Sequence, residues 1–203
     1  MKFALWLATA ALASAADAPH LFFSKSFPGS VPAYVEVSLD HSGSAVYKEA
    51  VDDDQPLKFQ LAESDTAAIF ALADKLEHFK RPLESQLKVA FMGMKTFRFE
   101  DAAEKQEAKF NYSEDPDAQA LLDWFERISE TEQHFINLER TVKYDKLGVN
   151  SALLQLQISF EHKRLVAAQQ LLPLLDRVAR NESYMHMARE RAVGLAEAIR
   201  ANK

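Results

Sequence analysis

Residues 24–50 read SKSFPGSVPAYVEVSLDHSGSAVYKEA, and the fold class turns on how this stretch is understood. Ala33, Val35, Val37 and Leu39 alternate with Tyr34, Glu36 and Ser38, the two-residue period of a half-buried strand. Asp40-His41-Ser42-Gly43 then supplies a turn, with Gly43 free to adopt the positive φ that closes a hairpin. Val46 and Tyr47 resume the alternation on the return. The segment before the hairpin, 27–33, holds Pro28, Gly29 and Pro32, two fixed φ angles around a permissive residue. It is either the entrance to a sheet or a loop that grips a ligand or partner through Pro28, Gly29, Pro32 and Tyr34.

Working outward, Leu57, Phe59 and Leu61 form a third alternating run. Ser64 and Asp65 are candidate N-caps for a helix carrying Ile69, Phe70, Ala73, Leu76 and Phe79 at helical spacing, which Arg81-Pro82 would end. A second hairpin places Met94, Phe97 and Phe99 on one arm and Ala108, Phe110 and Tyr112 on the other, joined through 101–105. From Asp115-Pro116 onward the period becomes helical, Asp115 being a good N-cap and Pro116 suiting the first helical position. Leu121, Phe125, Ile128, Phe135, Leu138 and Val142 share a side, but the polar run 129–134 interrupts them, so one long helix crosses between two cores or breaks there. Gly148 marks the next boundary, and Pro173 and Asn181 divide the remaining amphipathic segments. The expectation is an α+β fold: antiparallel strands packed with one or two helices, then a C-terminal helical hairpin or bundle. The corresponding division is a leader over 1–15, an α+β domain over 19–147 ending in a long helix, and a helical unit over 150–203.

The leader reading rests on Lys2, the apolar run 3–13 and the small residues Ala13-Ser14-Ala15, the pattern of a secretory signal peptide cleaved near Ala15. The run is about half the ~20 residues that span a bilayer, and no later segment is apolar enough to do so. A periplasmic or secreted location is therefore expected. The absence of cysteine excludes disulfide stapling, thiolate catalysis and cysteine-ligated metal. Net charge is −6, with 18 acidic against 11 basic residues over 16–115 and 12 of each over 116–203. No basic stripe is present to neutralise successive phosphates, which disfavours nucleic acid.

The opening run Phe27-Pro28-Gly29-Ser30-Val31-Pro32-Ala33-Tyr34, followed by VEVSLDHSGSAVYKE, resembles a family of small exported bacterial domains of unknown function. That family opens with cysteine, an aromatic, glycine, any residue, cysteine, proline, any residue and tyrosine, then alternating strands around an Asp/Gly turn. Gly29, Pro32, Tyr34, Gly43 and Tyr47 match, while the two cysteines fall on Phe27 and Val31 and the aromatic on Pro28. The resemblance spans residues 20–130 and implies strands and helices in α+β order, with no chemistry attached.

Catalytic motifs are few. Ser85-Gln86-Leu87-Lys88 matches S-x-x-K, but its S-D-N and K-T-G companions are absent. The five glycines are too scattered for a phosphate-binding loop. Met92 and Met94, sharing a face if the segment is a strand, are a candidate soft-metal pair for Cu(I). Met185 and Met187 diverge around His186 on a helix. Glu130 with His134, and His186 with Glu190, read as solvated pairs one helical turn apart. Asp52-Asp53-Asp54 lacks the glycine and terminal glutamate of a calcium loop. These exclusions favour a non-enzymatic binding or interaction module, with no cofactor and no resident metal expected and with a protein partner or self-association as its target. A small hydrolase using His41 beside the Asp52 cluster, and a metal-handling protein using Met92 and Met94, are the alternatives.

Overall fold

The computed structural model describes residues 19–201, so the leader assigned to 1–15 lies outside the described residues. The elements run β1 (His20–Ser26), β2 (Tyr34–Asp40), β3 (Ser44–Lys48), β4 (Leu57–Gln60), α1 (Glu63–Lys75), β5 (Met94–Glu100), β6 (Lys105–Phe110), α2 (Pro116–Tyr144), α3 (Val149–Glu161), α4 (Leu172–Arg180) and α5 (His186–Ala201). The strands form one antiparallel sheet in the order β4-β3-β2-β1-β5-β6. The molecule is thus a mixed α+β fold with a C-terminal helical segment.

Strand β1 is central, pairing with both β2 and β5, so Phe23 sits opposite Val37 on one side and Phe97 on the other. Its sequence HLFFSKS carries only a weak alternation, and its position follows from pairing with strands that lie up to 80 residues away. One sheet face, bearing Leu21, Phe23, Val37, Leu39, Tyr47, Phe97 and Phe110, is closed by α1 and the first half of α2. Phe23 stacks on Phe125 of α2 with centroids 4.9 Å apart. The other face is half-buried and polar, with Arg98 lying 3.8 Å over the Phe22 ring.

Helix α1 starts at Glu63, one residue before the expected cap, and its N-cap Ala62 has no side chain to accept from the first turn. Thr66 is buried instead and donates back to the Ala62 carbonyl at 3.0 Å, so Ser64 and Asp65 ride inside the first turn. The helix also stops earlier than Arg81-Pro82. Glu77, His78 and Phe79 all take positive φ, of 54°, 51° and 68°. This tight turn drops Phe79 into the core while His78 stacks flat on Phe99 at 3.9 Å.

Helix α2 is continuous for 29 residues, about 43 Å at 1.5 Å per residue. Asp115 caps it, accepting from the N–H groups of Asp117 and Ala118. Ala118, Leu121, Phe125 and Ile128 belong to the sheet core, whereas Leu138 and Val142 belong to a second core shared with α3, α4 and α5. The polar run does not break the helix, because its side chains are buried or half-buried between the two cores and each finds a partner there, with Glu132 Oε2 alone in the run left without one. Ser129 donates to the Phe125 carbonyl. Thr131 donates to the Arg127 carbonyl and accepts from the Val166 N–H at 3.0 Å. Gln170 donates to Glu132 at 2.6 Å. The segment 162–170 crosses α2 here and fastens the helical unit to the sheet unit.

Candidate functional site

The loop between β1 and β2 is held by its own backbone. Phe27 N–H donates to Ala33 O at 2.8 Å, Ser30 N–H to Phe27 O at 3.1 Å, and Ser30 Oγ lies 2.7 Å from both Phe27 O and Pro32 O. The Val31–Pro32 peptide is cis, and Gly29 has φ 91°. The outcome is a tip on which Val31 is 98% exposed.

A second loop, 84–93, stands beside this tip, because Met94 and Tyr34 both pair with Ser26 at the same end of the sheet. Phe91 meets Phe27 edge-on at 5.8 Å. The approach is close enough that a Cβ on Gly93 would come within 3.0 Å of Phe27. Polar stitching replaces regular structure in this loop. Asn111 accepts from Met92 N–H at 2.7 Å and donates to Ala90 O at 2.9 Å. Lys95, buried in the register position of a core residue, donates from Nζ to the carbonyls of Asn111, Gly93 and Met92 at 2.6, 3.1 and 3.3 Å. Burial, with Lys25 nearby, holds its ammonium below the usual lysine range. Together the loops expose Val31, Leu87, Phe91, Met92 and Met94, a run of large apolar side chains at one end of the sheet.

Two cavities flank this ridge, of about 270 and 290 Å³. The first lies between the opening loop and α2, floored by Phe23 and Val35. The Lys25–Glu126 ion pair, at 3.0 Å, borders both. On the far side of the first cavity Arg164 reaches Glu130 at 3.0 Å and also pairs with Asp123. The charges are matched pair by pair, so the hollow offers an apolar floor with a neutralised rim.

Of the four loop residues read from the sequence, Pro32 lines the first cavity. Pro28 and Gly29 shape the turn behind it. Tyr34 projects from the opposite sheet face, where its hydroxyl donates to Glu36 at 2.6 Å. Burial and that carboxylate raise its pKa to about 12. The alternation already places Tyr34 opposite Val35, so the loop residue that presents a surface is Val31, whose exposure no local pattern announces.

The other candidates are separated or engaged. His41 stacks on Phe70 at 3.7 Å, at one end of β3, while 51–54 follow the other end of that strand. Asp53 there accepts from the N–H groups of Glu49 and Gln55. Ser85 is in the loop rather than on a helix, donating to Glu114 at 2.7 Å, so Ser85 and Lys88 are not stacked one helical turn apart. Met92 lies in the loop and Met94 begins β5, both exposed. Among the described residues, no group of three or more His, Asp or Glu side chains is gathered for a metal ion. His186 and Glu190 form an exposed pair at 3.1 Å.

Glu130 and His134 differ from the solvated pair expected. Ser159 of α3 donates to Glu130 at 2.6 Å and meets His134 Nε2 at 2.9 Å. Burial pulls the His134 pKa down against the pull of Glu130. A serine–histidine–acid relay needs the acid on the far ring nitrogen, orienting the base. Here acid and imidazole both address the hydroxyl, Glu130 accepting its hydrogen bond, so the trio fastens α3 to α2. Compared with family models and with curated proteins, the chain matches none.

Proposed function

We propose that this protein is an exported, periplasmic or secreted, non-enzymatic binding or interaction module that engages a protein partner through the ridge formed by loops 27–33 and 84–93. The observation that carries the reading is Val31: an apolar side chain 98% exposed on a loop whose backbone is pinned by its own hydrogen bonds. A contact surface already ordered before binding loses little entropy on association. Phe91, Met92 and Met94 extend it, and adaptable methionine is suited to partner surfaces. The N-terminal leader pattern supports export, and the acidic balance of −6 argues against nucleic acid as the partner.

The test is crosslinking and affinity capture from an envelope fraction with the parent chain, Val31→Asp and Phe91→Asp, each verified as folded by circular dichroism. One partner should be recovered with the parent and lost with both variants. Equal recovery by all three would refute the ridge as the contact surface. Self-association through the ridge would appear as a concentration-dependent dimer in sedimentation, abolished by Val31→Asp.

A further inference from the structure

A separate cavity of about 860 Å³ opens between the start of α1, the middle of α2 and the crossing segment 162–170. It is about three times the size of either hollow at the loop end and within the range of small-molecule sites. Its wall is mixed: Leu61, Phe160, Leu165, Val166 and Ile199 form an apolar side, and Gln60, Ser64 and Gln169 add polar groups. Three charged side chains line it, Arg127, Lys163 and Asp65, leaving one positive charge in excess.

The two cations stand without carboxylate partners, in contrast to several arginines elsewhere in the chain. Arg81 is matched by Asp115, Arg164 by Glu130 and Asp123, and Arg200 by Asp176. Among the described residues, neither Arg127 nor Lys163 forms an ion pair. The Arg127 guanidinium lies 4.7 Å over the Trp124 ring, which fixes its plane. A guanidinium fork pairs well with a carboxylate. The first turn of α1, without a side-chain acceptor at Ala62, borders the same space and adds the favourable end of a helix dipole.

We propose that this cavity binds a monoanionic amphiphile, a carboxylate head held by Arg127 and Lys163 with an acyl chain along the apolar wall. The single excess charge matches one carboxylate, and the apolar part of the wall gives an acyl chain a surface to lie on. The site is independent of the ridge and stands or falls without it.

Isothermal titration of the full chain with decanoate, kept below micelle formation, tests it against acetate, decanol and decyl phosphate. Decanoate should bind at one site, with acetate and decanol each at least about tenfold weaker, the head and the chain both being needed. Lys163→Gln, at an exposed position where folding is not at stake, should weaken decanoate about tenfold, as should Arg127→Gln. Absence of decanoate binding, equal binding of decanol, or unchanged affinity in both variants would overturn the proposal. Decyl phosphate binding more tightly than decanoate would overturn the assignment of a single-charge head.

Discussion

Replacing Glu132 by glutamine removes an ionisable group from the junction of the two cores while preserving its volume. The residue is fully buried, its Oε1 accepts from Gln170 at 2.6 Å, and its Oε2 is enclosed without a partner. Burial, opposed by the Gln170 hydrogen bond, pushes the carboxyl up from 4.5 to about 7. Because the folded value lies above the unfolded one, the protonated acid is the form the fold prefers. The contribution of Glu132 is fully present below pH 4.5, declines as pH rises, and is lost as pH passes through about 7. At about 1.4 kcal/mol per pH unit the interval amounts to roughly 3 kcal/mol. The variant keeps an acceptor for Gln170 but adds amide hydrogens that the Oε2 position leaves unpartnered, a pH-independent offset of about 1–3 kcal/mol. Urea unfolding of both proteins between pH 4.5 and 8.5 separates the effects. The stability difference should shift in the variant's favour by about 3 kcal/mol across the range, most steeply between pH 5 and 7. Carboxylates held low, such as Asp40, Asp101 and Asp115, act with the opposite sign, but they are common to both proteins and cancel. A difference that stays flat with pH would show that Glu132 is hydrated or paired, and would refute the dry junction.

Two further outcomes check the supports of the ridge and of α2. Lys95→Met leaves the carbonyls of Asn111, Gly93 and Met92 without their shared donor, so loop 84–93 should be cleaved faster by limited proteolysis, with a stability loss of about 1–3 kcal/mol. Cleavage at the parent rate would mean the loop is held by other contacts. Asp115→Ala removes the cap of α2 and the partner of Arg81, and a loss of about 1–2 kcal/mol is expected at neutral pH. Burial opposes ionisation of Asp115, but Arg81 and the first-turn N–H groups outweigh it and hold the carboxyl low, so its contribution is present at neutral pH and lost as pH falls through that lowered value. A stability gap between parent and Asp115→Ala that persists unchanged into strong acid would contradict this.

The legible parts of this protein are those written in short-range rules. The β2–β3 hairpin follows from alternation over 33–39 and from Gly43, whose φ is 82°. The start of α2 follows from Asp115-Pro116, and the division of the helical tail from Gly148, Pro173 and Asn181. The end of α1 is not legible, because nothing local in 76–79 distinguishes a helical Phe79 from one delivered to the core by a left-handed turn. Pro28, Gly29 and Pro32 mark a turn but do not say which side chain it lifts into solvent.

The amino-acid order alone settled the α+β class, the hairpins, the start of α2 and the divisions of the helical tail, since periodicity, caps and turn residues act over a few positions. Only tertiary structure placed β1 at the centre of the sheet, because strand pairing joins residues that are distant in the chain. It likewise kept α2 whole through residues 129–134. Polar side chains can be buried there because Ser159, Val166 and Gln170 arrive from 25 to 38 positions away to meet them. Hydrogen-bond satisfaction in an interior depends on which elements meet, and that is decided by packing rather than by neighbours along the chain.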